Sequence, residues 1–302
     1  MRTGAMKLVH SITTRAWTGG FKAVICSSEG CSQWLSERQI INRRVGVMMG
    51  EHWYCSFRCF VSAAEQCMAR LISQGTSQPN HISRMPIGLL LLRRGWLREE
   101  EFKKATEEQR KTGGEMGELL VSLEFVSEAQ VTSVRASQWG CPVFSVSEPT
   151  IVAGVYLPPT FVNAYAMTPV HYVSATKSLL VGFVQAVEYG PLYGMEQITG
   201  CKAQPCFITA SDFRAQLSAQ ARQTALEELK FDAIQSSAEM ARIVCSYGVL
   251  VGANSVAMAR CKEYLWTRLK STAKSVDILF RINGPSQTTR FAETWNTPGI
   301  PS

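Results

Sequence analysis

Apolar residues recur at helical spacing twice over in the centre of the chain. Pro86-Ile-Gly-Leu-Leu-Leu-Leu-Arg-Arg-Gly-Trp-Leu97 leads into the polar run Arg98 to Gln109. After a spacer, Arg110 to Gly114, the pattern returns as Glu115-Met-Gly-Glu-Leu-Leu-Val-Ser-Leu-Glu-Phe-Val126, followed by Ser127 to Gln138. In register, Ile87 matches Met116, Gly88 matches Gly117, Leu91-Leu92 match Leu120-Val121, Trp96-Leu97 match Phe125-Val126, and Gln109 matches Gln138. Each copy predicts a short helix, a turn and a second helix, because apolar residues three and four apart make one buried stripe. Ser127 with Gln130 forms a capping box for the last helix. Arg98 holds the equivalent place in the first copy and is a poorer cap.

Beyond this repeat the rhythm changes. Leu157 to Tyr165 and Thr168 to Val173 are followed by a strand at Ser178–Gln185, a helix at Tyr193–Gly200, a strand at Ala203–Ile208 and a helix starting at Ser211. The order is β-β-α-β-α. Phe231 to Tyr247 has Met240, Ile243, Val244 and Tyr247 at helical spacing, and two strand-like runs, Ser255–Leu269 and Val276–Ile282, flank a turn at Lys270–Ser275. A helix on one hairpin buries little area, so this part is expected to dock on another domain, a second copy or a partner. Tyr264 and Trp266, alternating on one strand face, are expected to be core. The fold class is α+β. The expected units are a zinc-finger-like segment 1–72, a middle domain 84–222 (repeat 84–145, α/β half 146–222), and a helix plus hairpin 228–283. The turn-rich stretch Ser73–Ser83 reads as a linker, and the tail from Asn283 as frayed.

Composition excludes several classes. Hydrophobic residues make up 46% and charged residues 18%, an ordinary globular balance. No apolar run approaches the roughly 18 residues of a membrane helix, and the first 25 residues lack an export signal, so a cytoplasmic protein is expected. The net charge of +7 is concentrated early: residues 1–70 hold nine Lys and Arg against four Asp and Glu. This excess is compatible with nucleic acid without demanding it, and a protein partner is the favoured expectation.

Ten cysteines in a chain with no export signal argue against a disulfide framework. Six of them, Cys67, Cys141, Cys201, Cys206, Cys245 and Cys261, read as small hydrophobes. The other four form two pairs, Cys26-Ser-Ser-Glu-Gly-Cys31 and Cys55-Ser-Phe-Arg-Cys59. The first sits on a glycine turn; the second closes a strand, His52–Tyr54, and opens a helix. Two close thiol pairs from separate loops can supply the tetrahedron that zinc requires, and the arrangement resembles a treble-clef finger. Four thiolates leave no open coordination position, so the expected zinc is structural. His52 is expected to be an exposed strand residue rather than a ligand.

The repeat, with the exit Trp139-Gly-Cys-Pro-Val-Phe144 and the β-β-α-β-α order after it, resembles the MshE N-terminal domain family, found in type II secretion and type IV pilus ATPases of bacteria. The resemblance spans residues 84–220. In some members this domain binds cyclic di-GMP. Carried over, the candidate contacts are Ile87, Gly88, Leu91, Gln109, Met116, Gly117, Leu120 and Gln138, the glycines admitting a close backbone approach and the leucines packing the bases. Both positions where the family has arginine depart from the pattern. Pro86 has no cation, and Glu115 sets a like charge beside a phosphate. Glu124 also stands where glycine is expected. Arg84, Arg110 and Lys111 are nearby cations that could compensate. The expectation is a scaffold with its ligand chemistry lost.

Nowhere do these residues contain Gly-x-x-x-x-Gly-Lys-[Ser/Thr]; Ala175-Thr-Lys-Ser178 lacks the glycines that let backbone N–H groups cradle phosphate. Four histidines, His10, His52, His81 and His171, assemble no nucleophilic triad. The expected function is therefore a non-enzymatic regulator or adaptor in secretion or pilus machinery, with protein partners and self-association as its interactions. The alternative is a zinc-finger nucleic-acid regulator.

Overall fold

The computed structural model describes residues 17–18, 21–74, 84–146, 155–221, 227–234 and 236–282. The expected linker beyond Gln74, the tail from Asn283 and His10 and His81 lie outside them. The chain divides into two units.

The N-terminal segment opens with a three-stranded antiparallel sheet of β1 (Trp17–Thr18), β2 (Phe21–Ile25) and β3 (Trp34–Ser36). Then come α1 (Glu37–Arg43), the hairpin β4 (Val47–Met49) and β5 (His52–Tyr54), and α2 (Phe57–Ser73). The hairpin turns on Gly50 at φ 60°, the first position of a two-residue loop, where a left-handed residue matches the strand twist. Gly46 is required for a different reason. A Cβ there would lie 2.4 Å from both Nε1 of Trp53 and the carbonyl of Tyr54.

The second unit holds the repeat and the α/β half. The first motif forms α3 (Ile87–Arg93) and α4 (Glu99–Thr112), the second α5 (Met116–Ser122) and α6 (Glu128–Trp139). Ser127 and Gln130 make the predicted capping box on α6. Arg98, a cation with no acceptor, leaves only the reverse half: Glu101 accepts its backbone N–H at 2.9 Å. Ile87, Leu91, Leu97 and Ala105 bury against Leu120, Val126, Val131 and Val134 in one core. The α/β half then runs α7 (Pro159–Tyr165), β6 (Met167–Val173), β7 (Ser178–Phe183), α8 (Tyr189–Thr199), β8 (Lys202–Phe207) and α9 (Ala210–Ala221). Its sheet order is β6-β7-β8, antiparallel then parallel, in the β-β-α-β-α sequence expected.

The remaining elements are β9 (Glu227–Phe231), α10 (Ser237–Val251), β10 (Ser255–Cys261), β11 (Tyr264–Lys270) and β12 (Ser275–Arg281). They do not stand as a separate unit 228–283. They join residues of the N-terminal segment in a six-stranded sheet of order β5-β4-β10-β11-β12-β9. β4 runs parallel to β10, with Ser255 opposite Met48, and the backbone N–H of Met48 donates to Asn254 O at 2.9 Å. Helices α2 and α10 cover the sheet through Phe60, Ala64 and Met68, and Met240, Ala241 and Val244, burying Leu265, Leu269, Val276, Ile278 and Phe280. Their close approach needs Gly248, whose Cβ would lie 2.3 Å from the Phe57 ring. The physical reason for the merger is area: a short finger and a lone helix with hairpin each lack a layer, and each supplies the other's.

Two local expectations are also corrected. The run Ser255–Leu269 breaks into two strands at Lys262–Glu263, with Lys262 left-handed at φ 52°; no glycine, proline or asparagine marks that turn in the sequence. β9 is a parallel edge strand beside β12, an element that the sequence pattern did not predict. Its Glu227, Glu228 and Lys230 are the charges expected on an exposed edge.

Candidate functional site

Cys26, Cys31, Cys55 and Cys59 converge, with all four sulfur atoms within 4.8 Å of one another. Their placement follows from local structure. Cys26 follows β2 with its N–H bonded to Gln33 O at 2.9 Å, and Gly30 at φ 75° turns the chain back so that Cys31 returns beside it. Backbone pairing of Ser27 N with Trp53 O at 2.8 Å locks this knuckle to β5, which delivers Cys55. Ser56 then caps α2 by accepting from the N–H of Cys59, the third helical residue. The Cys55 N–H points at the Cys26 sulfur, 3.4 Å away.

The donor set fits zinc. Sulfur ligands about 2.3 Å from the ion sit about 3.8 Å apart at the corners of a tetrahedron. Cys31 and Cys55 are 3.8 Å apart, and Cys55 and Cys59 3.5 Å. Burial, and then the neighbouring thiols of Cys59, Cys31 and Cys26, push the Cys55 thiol up to about 12, while the hydrogen bond from Cys55 lowers Cys59. Four crowded thiols resist carrying four negative charges alone; a dication bound among them would hold them as thiolates. All ten cysteines are free of disulfides; Cys201, Cys206 and Cys261 are buried, and Cys67, Cys141 and Cys245 half-buried. His52 is exposed on β5, and His171 is exposed on β6, stacked on Phe144.

The eight residues carried over from the family are brought together, but mostly inward. Leu91 and Leu120 are fully buried in the motif core, Ile87 is buried beside them, and Met116 packs against the same cluster. Gly88 and Gly117 lie inside helices rather than on turns. A Cβ on Gly88 would sit 2.3 Å from the Phe102 ring. One on Gly117 would sit 2.9 Å from both Arg135 and Glu115. Both glycines thus admit a neighbouring side chain of this protein. Gln109 and Gln138 spend their amides on the carbonyls of Gly114 and Met85.

Glu115 is not a bare negative charge. It caps α5 by accepting from the N–H of Glu118 at 2.9 Å, and it pairs with the buried guanidinium of Arg135. Arg135 also donates to Val184 O at 2.8 Å, tying α6 to the end of β7. Sequence reasoning missed Arg135. The signal was an arginine four residues after Val131, on the apolar face of α6. Of the cations named as compensators, Arg84 lies over the Trp139 ring at 3.4 Å and Lys111 reaches Glu108.

Two helix-turn-helix motifs closed on each other and joined to a small α/β half make up the architecture that the resemblance implied, and the chain is similar to a type IV pilus assembly ATPase. In particular, it is similar to the type IV pilus assembly ATPase PilB of Thermus thermophilus, 26% identical over 129 residues; the match covers 42% of this chain and only 14% of that protein. Among solved structures it is similar to MshE with cdg (cyclic di-GMP), at 19% identity over 45% of this chain and 99% of that one, TM-score 0.38. The N-terminal domain of XpsE matches at 16% identity over 45% of this chain and 97% of that one, TM-score 0.35. No family model matches the chain. No helix among the described residues is long and apolar enough to cross a membrane.

Proposed function

We propose that this chain is a non-enzymatic regulatory or adaptor protein of type II secretion or type IV pilus machinery, in which a relative of the ATPase N-terminal domain has become a docking scaffold. The observation that carries the reading is Glu115. Where the family's ligand-binding members place a cation, this chain places a carboxylate whose charge Arg135 already satisfies. The first motif offers Pro86 at the same place, with no side-chain hydrogen bond at all. Cyclic di-GMP would find neither charge-assisted contact, each worth roughly 1.5–3 kcal/mol. The absence of a phosphate-cradling glycine loop in the sequence supports a role without nucleotide hydrolysis.

Cys26, Cys31, Cys55 and Cys59 hold a structural zinc in this reading. When bound, the ion cross-links the knuckle after β2 to the start of α2, and four thiolates leave no position for a reacting water. The test uses purified components: the chain mixed with a purified pilus or secretion ATPase from the same source, followed by sedimentation velocity and ATP turnover. The expected result is a complex and an altered turnover by the ATPase, with none by the chain alone. Association with neither ATPase, or hydrolysis that tracks the chain's own peak, overturns the proposal.

A further inference from the structure

The zinc-bearing unit carries a second feature that a structural metal does not explain. Along β2 and β3, residues alternate in direction as the pleat requires. Val24 and Leu35 pack toward the core, while their neighbours Ile25 and Trp34, a cross-strand pair, face outward with Ala23 and Ser36. Trp34 is 59% exposed, an uncommon place for the largest side chain. Beside it stands α1, a helix that buries none of its residues. Its Arg38, Gln39, Asn42 and Arg43 turn toward Trp34 and Ser36, and together they line a cleft of about 480 Å³.

The charge of this cleft is one-sided. Among the described residues no acidic one lines it, and neither Arg38 nor Arg43 makes an ion pair. Gln39 is committed to the capping box with Ser36, which fixes the first turn of α1 against β3. The cleft therefore presents an open aromatic face, two exposed guanidinium groups and an amide on a short rigid frame. The summed charge of the chain is too mild to demand nucleic acid; its placement around an outward tryptophan makes the case.

We infer that this cleft binds single-stranded nucleic acid, with Trp34 as a stacking platform for a base and Arg38 and Arg43 as phosphate contacts. A flat ring flanked by guanidinium groups matches the repeating base and phosphate of an unpaired strand. A duplex would hide its base faces and lose the stacking. This inference does not rest on the adaptor role, and either can fail without the other.

The experiment is fluorescence anisotropy of a labelled oligouridylate and a labelled oligothymidylate with the full zinc-loaded chain, from about 50 to about 200 mM salt. Binding with a Kd of roughly 1–100 μM at low salt is expected. Trp34→Ala should weaken it roughly tenfold or more. The double variant Arg38→Ala with Arg43→Ala should weaken it and flatten the salt slope by about 0.7 per lost contact. All three substitutions fall on exposed side chains, and unchanged zinc content and circular dichroism check that the fold survives. Three outcomes overturn the inference: no binding to either oligonucleotide, binding indifferent to these substitutions, or a preference for duplex. Trp34-dependent capture of an oligoglutamate peptide with no oligonucleotide binding overturns it too, and would mark the cleft as a site for acidic protein segments.

Discussion

The side-chain amide of Gln138 donates to the carbonyl of Met85, 53 residues earlier in the chain. Gln109 makes the matching bond to Gly114, only 5 residues on. In each case the last residue of one motif holds the residue just before the first helix of the other. The helices obey the same exchange, α3 packing on α6 and α4 on α5. The two motifs are thus closed on each other by equivalent bonds of very different sequence separation.

That difference makes a prediction. Gln138→Ala should lower stability by about 1 kcal/mol, the usual net value of one hydrogen bond. Gln109→Ala should cost less, because its bond spans a short loop whose ends are near each other even in the unfolded chain. Urea titration of both variants checks the order; equal costs would show that chain closure plays no part.

Gly95 and Glu124 occupy the same place in the two motifs and share a left-handed backbone, φ 68° and φ 59°. The conformation is natural for glycine and costs another residue about 1–2 kcal/mol. Glu124→Gly should therefore stabilise the protein by about 1 kcal/mol, and Gly95→Ala should destabilise it by a similar amount. Chemical denaturation read side by side gives both signs.

Gly88 offers a test in which the direction alone decides. A glycine kept only to let a ligand approach would tolerate alanine, and a helix would gain about 1 kcal/mol from the change. Here the new Cβ meets the Phe102 ring at 2.3 Å. Gly88→Ala should cost about 1–3 kcal/mol, the range for an overpacked core, and Phe102→Leu added to it should recover part of the loss.

These particulars show what the sequence could disclose. The repeat was legible because each motif writes its own period, caps and glycines within a few residues. The thiol site was legible because cysteine pairs have few other reasons to sit at that spacing. The joining of β4 to β10 was not, since nothing near Met48 names Ser255 as its partner. Arg135 was equally hidden: its role depends on Glu115 and Val184 converging on it, and only the folded chain brings them there.

The shared core would extend the reach of a metal held by the four cysteines. Because β4 pairs with β10 and α2 packs on α10, zinc removal should loosen more than the finger. Stripping the ion with a chelator, or Cys55→Ser, should speed amide exchange in β10, β11 and β12 as well as in β4 and β5. Exchange confined to residues 21–59 would mean that the six-stranded sheet holds without its zinc-bearing edge, and no stoichiometric zinc in the purified protein would remove the premise.

Cyclic di-GMP gives the most informative test, because the two departing positions, Pro86 and Glu115, sit in different surroundings. The unaltered protein should show no binding heat at micromolar ligand. Pro86→Arg adds a cation where the N-cap of α3 makes no side-chain bond, so it breaks no hydrogen bond. If the surface is otherwise intact, this single change should bring binding into the measurable range, a gain of roughly 1.5–3 kcal/mol for one charge-assisted contact. Glu115→Arg differs: it removes the cap of α5 and sets a second cation against Arg135. Breaking a fully buried pair costs roughly 3–5 kcal/mol. Glu115 keeps some exposure, so a loss of about 2 kcal/mol in stability is expected. The double variant should then bind no better than Pro86→Arg alone, and melt earlier. Calorimetry and thermal melts on the three variants separate the outcomes. A double variant that binds tighter than the single one would show that Arg135 can find another partner. Tight binding by the unaltered chain would show that the ligand needs neither arginine position.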